Sequence, residues 1–256
     1  MLDSTTHLEP RRERAINLPA VVIVLVAALL AIQAWMAFLA NAPDYVYFEW
    51  GFVPGRFTLG LFPHGTEELA DSSLVMLRPW TLVTYALLHG SWTHVIVNCI
   101  WLVAFGPPVA RRFGAPRFLA FLALTAAGGA LAHWAAAPRE FFPMIGASAA
   151  DSGLMAAAAR FIFQAGAPLG GPGGFNSALA GPGDDGPAST LRELATDRRA
   201  LIFIAVWLAT NFVFGAGAQA LGASEAPVAW VAHVGGFAMG LLAFPLFDRK
   251  GRRPQS

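Results

Sequence analysis

Long apolar runs separated by short polar or glycine-rich joints dominate this chain. A helix needs about 20 mostly apolar residues to cross a bilayer. Six stretches read that way: 19–40, a second beginning at Trp80 or Trp92 and ending near Val109, 117–137, 148–164, 200–218 and 228–247. The pattern predicts an all-α, polytopic membrane protein, a six-transmembrane-helix bundle over 19–247 between tails 1–18 and 248–256. Arg11, Arg12 and Arg14 precede the first stretch, as they would in a signal peptide. Its apolar run is longer than a signal core, however, and Gln33, Trp35 and Met36 form no small-residue cleavage site. A retained first helix is expected.

Composition supports this reading. Of 256 residues, 56% are hydrophobic and 13% charged, with a mean hydropathy of +0.54. A soluble domain carries about 25% charged residues. A soluble enzyme, a disordered protein and a nucleic-acid binder are all disfavoured; the surroundings expected for this surface are a lipid bilayer. Cys99 is the single cysteine, so no intrachain disulfide is possible.

The placement of positive charge orients the spans. With the N-terminus inside, 14 of the 17 Lys and Arg fall on one side, leaving Arg56, Arg78 and Arg139 on the other. The positive-inside rule then places both termini in the cytoplasm, and an odd number of spans would break the partition. A bacterial inner membrane fits the short N-terminus and the Ala/Gly/Arg-rich composition.

Two connections stand out. The outer segment 41–78 holds Tyr45, Tyr47, Phe48, Trp50, Phe52, Phe57 and Phe62 among prolines and glycines. So aromatic a segment is expected at the membrane interface, as an irregular loop. The connection 165–199 reads as a flexible cytoplasmic linker, because Gly, Pro and Ala dominate 166–187. No internal repeat is evident, which weighs against a transporter built from duplicated halves.

Strongly polar groups inside spans are costly and mark function. Those singled out are His94 and Asn98 in the second span, His133 in the third, Ser148 and Asp151 in the fourth and His233 in the sixth. Under the charge partition the second, fourth and sixth spans all run from outside to inside. His94, Asn98, Ser148 and His233 then lie at a similar depth, below the outer surface. His94 and Asn98, four apart, share a helix face. A serine and a histidine among further donors suit nucleophilic attack on a carbonyl, with the imidazole taking the proton and the donors holding the oxyanion. Gly146 precedes Ser148 at a helix start, where backbone N–H groups are unpaired. Gly236 and Gly240 follow His233 and permit close helix approach.

With these residues the chain resembles the rhomboid family of intramembrane serine proteases. The resemblance rests on His89-Gly90-Ser91-Trp92-Thr93-His94, Asn98, Phe105-Gly106, Arg112-Phe113-Gly114, Arg117-Phe118, Gly146-Ala147-Ser148, and Ala232-His233-Val234-Gly235-Gly236-Phe237 with Gly240. These are collinear from about residue 75 to 247. The resemblance implies a six-helix core and a serine–histidine dyad: Ser148 as nucleophile, His233 as general base, and Asn98, His94 and the Ser148 N–H on the oxyanion. His89 looks structural, and 41–78 corresponds to the family's membrane-embedded first loop. Implied substrates are single-pass membrane proteins cut in or near their transmembrane segments, where the helix unwinds easily. No metal or other cofactor is implied.

Three positions depart from the family pattern. Ala149 replaces a glycine after the serine and could crowd the oxyanion site. Ser152 stands where an aromatic often packs on the histidine, and Ala110 where a glutamate is common. Asp151, one turn past Ser148, is expected to be a partly wet, hydrogen-bonded carboxyl near the outer helix end, the other option being that it orients His233. His133 is expected to be structural. A zinc site is disfavoured because there is no His-Glu-x-x-His pattern and Cys99 is alone. The alternative to a protease is a catalytically silent relative that binds membrane clients, although such relatives typically lose the serine or the histidine and both stand here.

Overall fold

The computed structural model describes residues 18–39, 44–62, 76–164, 187–213 and 230–248. Helix α1 (Ala20–Ala34) continues as a wider turn over Trp35–Leu39. Short helices α2 (Tyr45–Trp50), α3 (Pro54–Leu61) and α4 (Thr81–Thr84) follow. The main bundle is built from α5 (Trp92–Phe113), α6 (Ala115–Ala136), α7 (Ser148–Ala159) and α10 (Trp230–Phe247). Between the last two come α8 (Leu191–Leu194) and α9 (Arg198–Phe212). Among the described residues the only extended pairing is an isolated bridge between Phe52 and Met144. The chain is an all-α polytopic membrane bundle.

Four helical segments are long and apolar enough to cross a membrane: Ala20–Phe38, Trp92–Phe113, Ala115–Ala136 and Trp230–Phe247. These match the first, second, third and sixth predicted stretches, with the second beginning at Trp92. The fourth predicted stretch contains the 12-residue α7, buried from Ala149 to its end, and the fifth contains the 15-residue α9.

Helix boundaries follow local chemistry. The Ser91 hydroxyl caps α5 by accepting the His94 N–H at 3.1 Å. Gly114, at φ +79°, ends α5 and turns the chain into α6. In the region expected to be a flexible linker, 165–186 lies outside the described residues, while the end is folded. There Thr190 and Glu193 form a capping box on α8, and Ser189 is tied to Arg160 through its N–H and its carbonyl.

Small residues decide how the centre packs. Methyls built on Gly236 and Gly240 of α10 would lie 2.1 Å from the Ala149 carbonyl oxygen and 2.6 Å from the Gly153 carbonyl oxygen. The contacts step by four residues on each helix, so α7 and α10 run parallel and nearly touch backbone to backbone. On α6, a methyl on Gly129 would meet the Ala149 methyl at 2.5 Å, while Thr125 faces Gly153. Helix α6 therefore runs antiparallel to α7.

The two ends of the bundle differ in chemistry. At the end where α5 and α10 stop, Arg112 grips the buried Asp248 through Nε and Nη2, at 3.1 and 2.8 Å. Arg112 and Arg160 both lie over the Phe244 ring. At the opposite end α5, α7 and α10 begin, with His94, Ser148 and His233 in their first turns.

The aromatic segment is not an irregular loop where described. It forms α2 and α3, moored to the stretch before α7. The Gly55 N–H donates to Glu140 O at 2.7 Å, Trp134 Nε1 donates to the Thr58 hydroxyl at 2.9 Å, and Phe52 and Met144 exchange backbone hydrogen bonds. Residues 63–75 lie outside the description.

Candidate functional site

Ser148 is the first residue of α7, and three elements hold the backbone ahead of it. Met144 pairs with Phe52, the Gly146 N–H donates to Tyr85 O at 3.0 Å, and the Ala147 N–H donates to His89 Nε2 at 3.4 Å. His89, almost wholly buried, thus acts on the loop and contacts the His94 ring edge-on at 4.9 Å. Within α7 the first return hydrogen bond is Asp151 N–H to Ala147 O. Helical geometry leaves the amides of Ser148, Ala149 and Ala150 without an acceptor inside the helix, at its positive end.

Gly146 explains how His94 and Asn98 approach the turn that leads into Ser148. Its φ of +112° is open to glycine but strained for other residues. A methyl there would also lie 2.6 Å from His94 Nε2 and 3.7 Å from Asn98 Nδ2. The imidazole and the amide of α5 therefore press against the turn that delivers Ser148. Asn98 is 3% exposed, and its Nδ2 has no hydrogen-bond partner. A buried donor without a partner is costly. Here it lies beside Gly146, two residues ahead of the serine, and an anionic oxygen would satisfy it.

The glycine contacts between α10 and α7 set the position of His233. Gly236 meets Ala149, and His233 lies one turn nearer the start of α10, level with the turn into α7. Gly240, one turn deeper, allows the same approach at Gly153. Among the described residues, the His233 side chain hydrogen-bonds not to Ser148 but to Asn211 of α9, with Nδ1 and Oδ1 2.5 Å apart. Asn211 is not among the polar residues singled out above within the spans. The signal was present, since it is a carboxamide inside the apolar run 200–218.

Asp151 is drier than expected. It is 3% exposed and its Oδ2 has no hydrogen-bond partner. Nor does it orient His233, whose Nδ1 faces Asn211. His133 lies elsewhere and pairs with Glu140 at 3.2 Å. The Ser152 hydroxyl donates to its own helix, at Ser148 O, 2.7 Å away. The Ala149 methyl is buried against Gly129 and points into the α6 interface, not at His94 or Asn98. No cluster of three metal-ligating side chains occurs among the described residues.

Comparison with known proteins bears on this arrangement. The family model described as "Rhomboid domain" matches residues 77–249, which include His94, Asn98, Ser148, Asn211 and His233. A Bacillus subtilis (strain 168) protein named "Putative rhomboid protease YdcA" is 33% identical over 75 residues, which are 29% of this chain and 37% of that protein. The chain thus aligns with little more than a third of that relative's length.

Proposed function

The chain belongs to the rhomboid family, and on that premise we propose that it is an intramembrane serine endopeptidase that cleaves single-pass membrane proteins in or near their transmembrane segments. Ser148 is the nucleophile and His233 the general base. Asn98, His94 and the Ser148 N–H stabilise the oxyanion. The observation that carries this reading is the contact of Gly146 with His94 and Asn98, which sets the buried, unpartnered Asn98 Nδ2 beside the serine-bearing helix start.

The chemistry follows from these groups. The Ser148 Oγ attacks the scissile carbonyl carbon as its proton passes to His233 Nε2. The carbonyl oxygen becomes anionic and is held by donors that need no rearrangement to receive it. When the tetrahedral intermediate collapses, the C–N bond breaks and His233 gives its proton to the leaving amine. Water then attacks the acyl-serine, losing a proton to His233, and Ser148 departs with that proton restored. No metal or other cofactor takes part. The substrate helix must unwind first, because an intact helix keeps its carbonyls hydrogen-bonded and enclosed.

The location follows from the same proposal. Six spans are counted with α7 and α9 as the fourth and fifth, both termini are cytoplasmic, and the membrane is a bacterial inner membrane. The site then opens towards the outer face, and the Arg112–Asp248 pair sits at the cytoplasmic end.

The test is cleavage in proteoliposomes of single-pass substrates with helix-destabilising residues in their transmembrane segment, with fragments identified by mass spectrometry. Cleavage abolished by Ser148→Ala and by His233→Ala supports the proposal. Client capture without cleavage, unaffected by either variant, would replace the protease with a client-binding relative.

A further inference from the structure

We propose that Asn211 is a positioning residue for this reaction: its carboxamide oxygen accepts the Nδ1–H of His233, which fixes the imidazole tautomer and leaves Nε2 with its lone pair turned to the serine. The inference rests on the reading of Ser148 and His233 as nucleophile and base.

Asn211 has its own amide orientation settled by a second bond. Its Nδ2 donates to Trp207 O at 2.8 Å, so Oδ1 is the atom left facing His233 Nδ1 at 2.5 Å. A carboxamide oxygen can only accept, so the ring must carry its hydrogen on Nδ1. The second nitrogen, Nε2, is then the basic one, as required of the nitrogen that takes a serine proton. Holding one ring nitrogen with a hydrogen bond is the usual way of fixing which nitrogen does the chemistry.

A second rung keeps this contact in register. One turn along each helix, Trp207 of α9 stacks on Phe237 of α10, with ring centroids 4.2 Å apart and planes at 22°. Asn211 and His233 are four residues from Trp207 and Phe237 respectively, so the two antiparallel helices meet at an aromatic rung and a polar rung. Ser152, where an aromatic could have steadied the imidazole, spends its hydroxyl on Ser148 O. The steadying contact comes from α9 instead.

Two readouts in the full-length, detergent-purified protein test this. In ¹⁵N-histidine NMR, wild-type His233 should carry its proton on Nδ1, and Asn211→Leu should lose that preference. With a fluorophosphonate probe, Asn211→Leu should label about ten- to a hundredfold more slowly at unchanged Tm. Asn211→Asp should recover most of the rate and move the acid limb of the pH–rate profile upward, since a carboxylate would favour the charged ring. Among the described residues the titratable group near His233 from the other helices is His94 of α5, while α7 presents Ala149 and α6 presents Gly129 and Ala132 to this stretch of α10. Wild-type His233 protonated on Nε2, or Asn211→Leu labelling at the wild-type rate, would overturn the inference. The tautomer is read without any turnover, so failure of the protease reading, seen as labelling that ignores Ser148→Ala, is a separate result.

Discussion

Gly236 faces Ala149 so closely that a methyl on the glycine would lie 2.1 Å from the Ala149 carbonyl oxygen. That contact joins the helix bearing His233 to the helix bearing Ser148 with almost no side chain between them. Neither backbone can yield without moving its helix. Gly236→Ala is therefore expected to cost about 1–3 kcal/mol through overpacking and to push His233 away from Ser148. Thermal unfolding in detergent and probe labelling should both fall, labelling more steeply. A fully active Gly236→Ala protein would contradict this packing.

Gly146 and Gly114 form a matched pair for separating backbone strain from site damage. Both have positive φ, but a methyl on Gly114 meets nothing within 4 Å, whereas one on Gly146 strikes the His94 ring. Strain of this kind costs about 1–3 kcal/mol. Gly114→Ala should lose stability and keep its labelling rate per folded molecule, while Gly146→Ala should lose both. Equal labelling by the two folded variants would contradict any role for the Gly146–His94 contact in labelling.

Ala149→Gly restores the family's residue after the serine, yet no gain in rate is expected. The methyl fills the α6 interface against Gly129, so its removal leaves a small gap and adds helix entropy. The expected result is a stability loss of about 1 kcal/mol at an unchanged labelling rate. Faster labelling would mean that the methyl crowds the oxyanion after all.

The buried Arg112–Asp248 pair lies at the other end of the bundle. Removing one partner leaves a buried charge uncompensated and costs about 3–5 kcal/mol. Asp248→Ala should thus lower the unfolding temperature sharply. Below that temperature, labelling of the folded fraction should match wild type, because the pair does not touch Ser148 or His233. A change in labelling rate without a change in stability would refute that separation.

Much of this was readable from residue patterns. Apolar length marked the helices, with α5 beginning at Trp92, where the Ser91 cap decides the boundary. The glycines 146, 236 and 240 were recognisable because few other residues let helices or a turn approach so closely. Other features depend on tertiary contacts that no local pattern contains. The aromatic segment looked irregular because its helices are short and gain their support from Glu140, Met144 and Trp134 far along the chain. The burial of Asp151 follows from its place on the side of α7 turned towards Cys99 of α5, which its neighbours in sequence do not reveal. Asn211 was a visible polar residue in an apolar run, but its partner lies 22 residues away on another helix.

The most direct measurement of the central claim is labelling of the purified full-length protein by a serine-reactive fluorophosphonate, with the modified residue located by mass spectrometry. Adduct on Ser148 in wild type, absent in Ser148→Ala and lost in folded His233→Ala, is the predicted result. A folded wild-type protein that does not label, or one whose labelling is indifferent to His233→Ala, would contradict an activated Ser148.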